Sequence, residues 1–323
     1  MKYLITICIP TYNRASKVIR LLNLIDEFSC QLKLKVLVSN NASQDNTMDI
    51  LNSFIPKNFS IKIFHQEINI GFDGNIRFLY QKAETEYVWF FSDDDLMFPD
   101  AIKTVLNILT KTKPDVLLFS FAQPKESKEL TFNLHGEFVQ IFDPQEIIRY
   151  VSKCPKISIF VMKKVEFDKD EINKLDTFID SAFYFEVLSY FVLNKSSKPM
   201  LVIISKQLAH SDDEFRVLNY NSRVLFYRYL IYDNPFILKY FPCFYKQMEE
   251  ASYYNSLQFW YSFSKKTLFY GNDNFFSKKM STNWTPPFDL ILLCKSPGYL
   301  IRYLLSYIGF FKIIFKIKDF FKI

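Results

Sequence analysis

The stretch Tyr87-Val-Trp-Phe-Phe-Ser-Asp-Asp-Asp95 joins five apolar or aromatic residues to three consecutive aspartates. Because residues 89–91 would be apolar on both faces of an extended chain, we predict an interior strand of a sheet here. Ligands of parallel sheets bind beyond the carboxyl ends of the strands, and the three aspartates emerge at such an end. Carboxylates packed this closely raise one another's pKa unless a cation lies among them, and their oxygens suit Mg²⁺ or Mn²⁺. An acidic helix N-terminus is the alternative interpretation.

On both sides of this strand, short β-branched runs alternate with helical stretches over the first 120 residues. This alternation predicts an α/β fold with a mostly parallel sheet and flanking helices. Predicted strands occupy residues 3–9, 34–38, 61–64, 87–91 and 115–121. The polar loops after the first, second and fourth strands should therefore converge on one cleft. The first intervening helix should bury an apolar face with the 3–4 spacing of Val18, Leu21, Leu22 and Ile25.

After residue 125 the pattern is looser. We predict a strand pair within 130–142, a short helix after Pro144, a strand over 157–162, a helix over 178–193 and a strand over 200–205. Beyond residue 215 strands disappear, and five prolines interrupt helical segments. The sequence thus predicts an α/β domain over 1–215 and a helical C-terminal region over 216–323.

Composition and charge exclude several classes of protein. The chain has 323 residues but only 6 Gly, and neither G-x-G-x-x-G nor G-x-x-x-x-G-K-[ST] occurs, which argues against dinucleotide and ATP sites. The net charge of +6 is small and dispersed, so we expect no nucleic-acid partner. Five scattered cysteines, a short apolar N-terminus and no uncharged apolar run near ~18 residues predict a cytoplasmic protein with reduced thiols.

Four segments resemble family 2 glycosyltransferases in their order and spacing. They are Cys8-Ile-Pro-Thr-Tyr-Asn-Arg14, Val38-Ser-Asn-Asn-Ala-Ser-Gln-Asp45, Asn69-Ile-Gly71 and Phe91-Ser-Asp-Asp-Asp95. Within that family the chain resembles the abequosyltransferase-like branch and other enzymes of bacterial surface-polysaccharide assembly, well over 1–120 and loosely over 121–215. The resemblance implies a GT-A type, Rossmann-like fold, with a nucleotide-sugar-binding half (1–122), an acceptor half (123–215) and a helical extension.

The resemblance also implies roles for individual residues. Donor-binding roles fall on Pro10, Thr11, Tyr12, Arg14, Asn40, Asn69, Asp93 and Asp95. Asp94 matches the metal-binding aspartate, and His210 stands where some members place a further metal or diphosphate ligand, so Mn²⁺ or Mg²⁺ is the expected cofactor. A purely structural role for His210 stays open. Ser92 departs from the family, because many members have an aspartate there.

Asn40 is a second departure, because the family usually has an aspartate that contacts the pyrimidine. An ionised carboxylate can only accept a hydrogen bond, whereas an amide can donate or accept, so UDP-, CDP- and dTDP-sugars all remain open as donors. The equally weighted alternative is that Asn40 is a turn residue, chosen for its backbone preferences.

The general base should lie on the acceptor side. Asp180 has the spacing and the helix-start context that the family shows, with Asp176 and Glu186 as rivals and helix capping as the alternative role. The implied reaction transfers a sugar from a nucleotide-diphospho sugar to a hydroxyl of a glycan, a polyprenyl-linked acceptor included. A metal-dependent nucleotidyltransferase and a catalytically inactive sugar-binding protein of the same fold are the alternatives.

The C-terminal end combines positive charge with apolar surface. Residues 295–323 hold six Lys or Arg against one Asp, and polar or small residues recur every three or four positions from Arg302. A helix with this pattern would carry a narrow polar stripe on a broad apolar body. Together with the local basic excess, this predicts peripheral docking on the inner face of the cytoplasmic membrane. Packing on the protein's own domain, or in a homodimer interface, is the alternative.

Overall fold

The computed structural model describes residues 3–122, 128, 130–151, 156–179, 183–212 and 236. The chain divides into two compact units, Met1–Arg216 and Val217–Ile323, and all described residues except Phe236 belong to the first. The predicted C-terminal helices, the basic tail and Asp180 therefore lie outside the described residues. Three of the cysteines lie outside as well, whereas Cys8 and Cys30 are free thiols, as expected.

Nine strands and seven α-helices make up the described region. The strands are β1 (Ile5–Thr11), β2 (Lys35–Asn40), β3 (Ser60–His65), β4 (Tyr87–Phe90), β5 (Asp95–Met97), β6 (Val116–Ala122), β7 (Val139–Ile141), β8 (Val161–Lys163) and β9 (Leu201–Ser211). The helices are α1 (Ala15–Phe28), α2 (Thr47–Ser53), α3 (Gly71–Lys82), α4 (Ala101–Thr112), α5 (Pro144–Val151), α6 (Lys169–Asp176) and α7 (Tyr184–Lys195), with a 3₁₀ turn at Ile157–Ile159. None of these helices is long and apolar enough to cross a membrane.

All nine strands belong to one mixed sheet. Its order is β3-β2-β1-β4-β8-β6-β9-β5, and β7 also pairs with β9. Strands β3, β2, β1 and β4 run parallel, as predicted, because α1, α2 and α3 supply the crossovers that parallel neighbours need. Strand β8 enters antiparallel between β4 and β6, whereas β6 and β9 are parallel.

Burial confirms the two apolar patterns on which the fold prediction rests. Residues 89–91 are fully buried, and the Trp89 ring packs edge-on against Phe91 and Phe119 at centroid distances of 5.5 and 5.7 Å. The predicted apolar positions of α1 are also fully buried. Helix α3 contacts β1, β2 and α7, and α7 contacts β6 and β8, so these two helices pack together on the sheet.

The second half differs from the prediction in its details. The segment 130–142 contributes the single strand β7 rather than a strand pair, and the 3₁₀ turn precedes β8 where a longer strand was predicted. Strand β9 extends to Ser211, where its end pairs with β5, a three-residue strand that the sequence did not predict. These elements are defined by partners far away in the chain, so local patterns carry little information about them.

Candidate functional site

A cleft of about 450 Å³ opens at the edge of the sheet where β1, β2 and β4 end. The loops that follow these strands form its wall together with the start of α3, which confirms the predicted convergence. The cleft is lined by Pro10, Thr11, Tyr12, Arg14, Asn41, Asn69, Gly71, Phe72, Asn75, Ser92, Asp93 and Asp94. Of the predicted donor-binding and metal-binding residues, Asn40, Asp95 and His210 are not among these lining residues.

Arg14 binds the two cleft aspartates with a single nitrogen atom. Its Nη1 lies 2.7 Å from Asp93 Oδ1 and 2.9 Å from Asp94 Oδ2. Burial alone would lower the pKa of Arg14, but the two carboxylates raise it above its ordinary value. Burial also raises the pKa of Asp93, and Arg14 partly offsets that shift. A positive charge therefore already lies among the clustered carboxylates.

Asp95 points away from the cleft and is buried. Its Oδ2 accepts a hydrogen bond from Ser158 Oγ at 2.6 Å. Burial raises the pKa of Asp95 to about 7, and the nearby Lys156 and Ser158 only partly offset this. The same Ser158 Oγ accepts a hydrogen bond from Ser92 N at 2.9 Å, so one hydroxyl joins both ends of the aspartate turn.

Ser158 is itself fixed from the sheet. It is fully buried in the 3₁₀ turn, and its carbonyl accepts a hydrogen bond from Trp89 Nε1 at 2.8 Å. A lone serine in an apolar run gives no sequence signal for this role, because the contact joins residues 66 positions apart.

The cleft suits a divalent cation in its donor chemistry. Asp94 supplies a partly exposed carboxylate, and Asp93 Oδ2 is buried without a hydrogen-bond partner at ordinary distance among the described residues. The adjacent Thr11 hydroxyl also lacks a partner at that distance, and its proximity helps to lower the pKa of Asp93 against the effect of burial. Hard oxygen donors of this kind fit Mg²⁺ or Mn²⁺. No group of three or more His, Cys, Asp or Glu side chains arranged for a metal occurs in the described ranges.

His210 lies on β9 rather than in the cleft wall. It pairs with Leu96 across the sheet, and its ring centroid lies 5.1 Å from that of Phe98. Its Nδ1 is 3.1 Å from the carbonyl of Ser211. The side chain is buried and is not among the residues that line the cleft.

Asn40 and Asn41 have different surroundings. Asn40 is buried, its Oδ1 accepts from Ser43 N at 3.1 Å, and its Nδ2 lies 3.2 Å from His65 Nδ1. Asn41 lines the cleft and holds the loop before α3: its Nδ2 donates to Asn69 Oδ1 at 2.9 Å and to Gly71 O at 3.1 Å. The sequence analysis did not predict this role of Asn41, although the two adjacent asparagines at the end of β2 indicated a loop here.

The end of β9 is attached to the aspartate turn. The backbone N–H of Asp212 donates to the carbonyl of Asp94 at 3.3 Å. The Asp212 carboxylate accepts from both terminal nitrogens of Arg20 on α1, one of them at 2.7 Å. Helix α1, the aspartate turn and Asp212, which directly follows β9, therefore form one hydrogen-bonded unit.

Two of the three carboxylates considered as bases have fixed surroundings. Asp176 forms a two-point pair with Arg77 of α3, with Nη2–Oδ2 and Nε–Oδ1 distances of 2.7 Å. Burial raises the pKa of Asp176, and Arg77 partly offsets this. Glu186 is fully buried in the first turn of α7. Asp180 lies outside the described residues.

Comparison with known proteins identifies the domain. Residues 6–164 match the family model for glycosyl transferase family 2. The abequosyltransferase RfbV of Salmonella typhimurium strain LT2 is 25% identical over 222 residues, which cover 62% of this chain and 66% of that protein. The poly(ribitol-phosphate) beta-N-acetylglucosaminyltransferase TarS of Staphylococcus aureus strain Mu50 is 23% identical over 56% of this chain and 35% of its own length. The chain thus spans less than two thirds of these relatives.

Solved structures agree on the fold. The crystal structure of S. aureus TarS 1–349 superposes with a TM-score of 0.55 at 16% identity, covering 95% of this chain and 80% of that one. The mannosyltransferase PcManGT from Pyrobaculum calidifontis, in complex with GDP-Man and Mn²⁺, gives a TM-score of 0.51 at 13% identity, covering all of this chain and 88% of that one. Residues 6–164 therefore form a family 2 glycosyltransferase domain, built on the GT-A fold.

Proposed function

We propose that this chain transfers a sugar from a nucleotide-diphospho sugar to a hydroxyl of a glycan acceptor during assembly of a bacterial surface polysaccharide. The observation that carries the proposal is the Asp93–Asp94 pair with its bound Arg14, at the carboxyl ends of strands in a family 2 domain. The relatives named after abequosyl and N-acetylglucosaminyl transfer support the reaction class.

The donor would lie in the cleft beyond β1, β2 and β4. Tyr12 and Phe72 are 40% and 43% exposed on its wall, so each offers an aromatic surface to a base or a sugar ring. Neighbouring structures hold UDP-GlcNAc and GDP-Man. Because Asn40 does not line the cleft, the choice among UDP-, CDP- and dTDP-sugars would fall to lining residues such as Asn69 and Asn75.

The negatively charged diphosphate of the donor requires positive charge in the cleft. Asp94 would hold a Mn²⁺ or Mg²⁺ ion with Asp93 beside it, and such an ion, when bound, neutralises the leaving nucleoside diphosphate. Arg14 would bind the diphosphate oxygens directly, since a guanidinium matches phosphate geometry. Ser158 would keep the turn that presents both aspartates in place.

Asp180 is our candidate for the base that takes the proton from the acceptor hydroxyl. Asp176 is engaged in its two-point pair with Arg77, and Glu186 is fully buried, so neither is free to meet an incoming hydroxyl. A positioned base contributes about 10²–10⁴ in rate.

We further propose that residues 295–323 dock the enzyme on an anionic membrane surface, close to a lipid-linked acceptor. Support comes from the excess of basic residues and the apolar body of this segment.

We predict that Asp94→Asn abolishes sugar transfer and that EDTA abolishes it in the wild-type protein, because the leaving diphosphate loses its counter-charge. Donor consumption across UDP-, CDP-, GDP- and dTDP-sugars, with Mn²⁺ or Mg²⁺, is the measurement. Asp49→Asn, on the exposed side of α2, is the matched control and should keep full activity. Undiminished transfer by Asp94→Asn would refute the metal assignment.

Asp180→Asn should lower turnover by about 10²-fold or more with donor affinity unchanged, because only the proton acceptor is lost. Asp176→Asn should instead lower the thermal stability, since it breaks the pair with Arg77. Steady-state kinetics and thermal unfolding of both variants test this pair of expectations. If Asp176→Asn alone showed the loss of turnover, Asp176 rather than Asp180 would be the base.

Ser158→Ala should lower the free energy of unfolding by about 1–3 kcal/mol, because Asp95 and the Ser92 N–H lose a buried partner. The control is Ser53→Ala, which removes an exposed bond to the Ile50 carbonyl and should change stability by less than about 0.5 kcal/mol. Urea denaturation measures both changes. Equal effects would show that Ser158 has no special role in the turn.

The full chain should co-sediment with vesicles that contain anionic lipid and not with neutral ones. The triple variant Lys312→Glu, Lys316→Glu and Lys322→Glu should lose this binding, whereas charge reversal at the exposed residues Lys57, Lys103 and Lys111 should not. Equal binding by both triple variants would remove the membrane proposal.

A further inference from the structure

Arg14 occupies the position that a cation would take between the two cleft aspartates. One guanidinium nitrogen contacts an oxygen of each, at 2.7 and 2.9 Å. The side chain is 36% exposed and lines the cleft, whereas that of Asp93 is only 3% exposed. The guanidinium therefore reaches the buried carboxylate from the donor side of the site.

The backbone of Arg14 is held in place, while its side chain remains accessible from the cleft. Its carbonyl accepts from Lys17 N and Val18 N at 3.0 Å each, at the start of α1. The neighbouring Ala15 N–H donates to Asp45 Oδ2 at 3.2 Å, which ties α1 to the loop after β2. A change of partner by Arg14 thus requires side-chain rotation only.

We propose that Arg14 is the resident cation of the Asp93–Asp94 pair while the donor is absent, and that the donor diphosphate draws its guanidinium away and opens the pair to a divalent cation. This inference rests on the proposed function. Its physical basis is that a guanidinium and a divalent cation held by the same two carboxylates repel each other, whereas a diphosphate offers the guanidinium a two-point partner.

The consequence is coupling between nucleotide and metal. In the nucleotide-free protein a divalent cation would bind beside the positive charge of Arg14, so its affinity is low. With nucleotide bound, the guanidinium contacts the diphosphate and this repulsion is smaller. Coupling between two ligands is reciprocal and typically amounts to about 5–150-fold in affinity. A bridge between metal and phosphate also couples the two ligands, but that contribution does not depend on Arg14.

The test is binding of Mn²⁺ alone to the nucleotide-free full chain, followed by electron paramagnetic resonance of free Mn²⁺. Arg14→Met keeps the length of the side chain and removes its charge, so it should bind Mn²⁺ at least about tenfold more tightly than the wild type. Arg14→Lys keeps a cation and should retain the weak binding. Lys103→Met, at an exposed position of α4, controls for net charge and should match the wild type.

A second measurement adds UDP, CDP, GDP or dTDP at saturation. The gain in Mn²⁺ affinity that the nucleotide produces should be smaller in Arg14→Met than in the wild type. If Arg14→Met fails to fold by circular dichroism, Arg14→Gln takes its place.

The results distinguish failure of this inference from failure of the proposed function. Mn²⁺ binding by the wild type with no gain in the neutral variants overturns this inference alone and leaves the proposed function intact. Failure of all variants to bind Mn²⁺, with and without nucleotide, overturns the proposed metal site and this inference with it.

Discussion

The repulsion among three carboxylates on consecutive residues, at the end of a buried strand, determines the arrangement of this site. Like charges in a poorly solvated place must separate or acquire counter-charges. Here both happen: Arg14 binds Asp93 and Asp94 on the cleft side, and Asp95 turns into the protein, where Ser158 donates to it. The turn thus has two sides, one facing a ligand and one serving as an anchor. Its geometry depends on the loop after β1 and on the 3₁₀ turn before β8.

Much of the cleft could be predicted from the sequence, because parallel strands that end at one edge bring their loops together. The loops after β1 and β4 contribute Pro10, Thr11, Tyr12 and the first two aspartates to the wall of the cleft, and Asn69 joins them from the loop before α3. The different fate of the third aspartate could not be predicted, since alternation along a strand says nothing about a serine 63 positions away. Helix α6 is another case: Asp168 and Glu171 form a capping box that is visible in the sequence and was overlooked.

The two asparagines at the end of β2, Asn40 and Asn41, show that a residue's position in a motif does not determine its role. Asn40 and Asn41 are adjacent and both are buried. The Asn40 amide contacts its own turn and β3, whereas the Asn41 amide holds the Asn69–Gly71 segment at the cleft. Ala42 follows with a φ of 58°, a left-handed conformation that a residue with a Cβ adopts at some cost. The hydrogen bonds of Asn41 and Ser43, the two neighbours of Ala42, hold this conformation. The loop is therefore fixed in shape.

The attachment of Asp212 to Asp94 has a mechanical consequence. The chain that continues past β9 departs from a residue whose N–H holds the carbonyl of Asp94 and whose carboxylate holds Arg20 of α1. Any force on the chain at that point acts directly on the backbone of the cleft aspartate and on the helix that begins just after Arg14. A displacement at the end of β9 would therefore be transmitted to Asp94 through the 3.3 Å hydrogen bond and to α1 through Arg20.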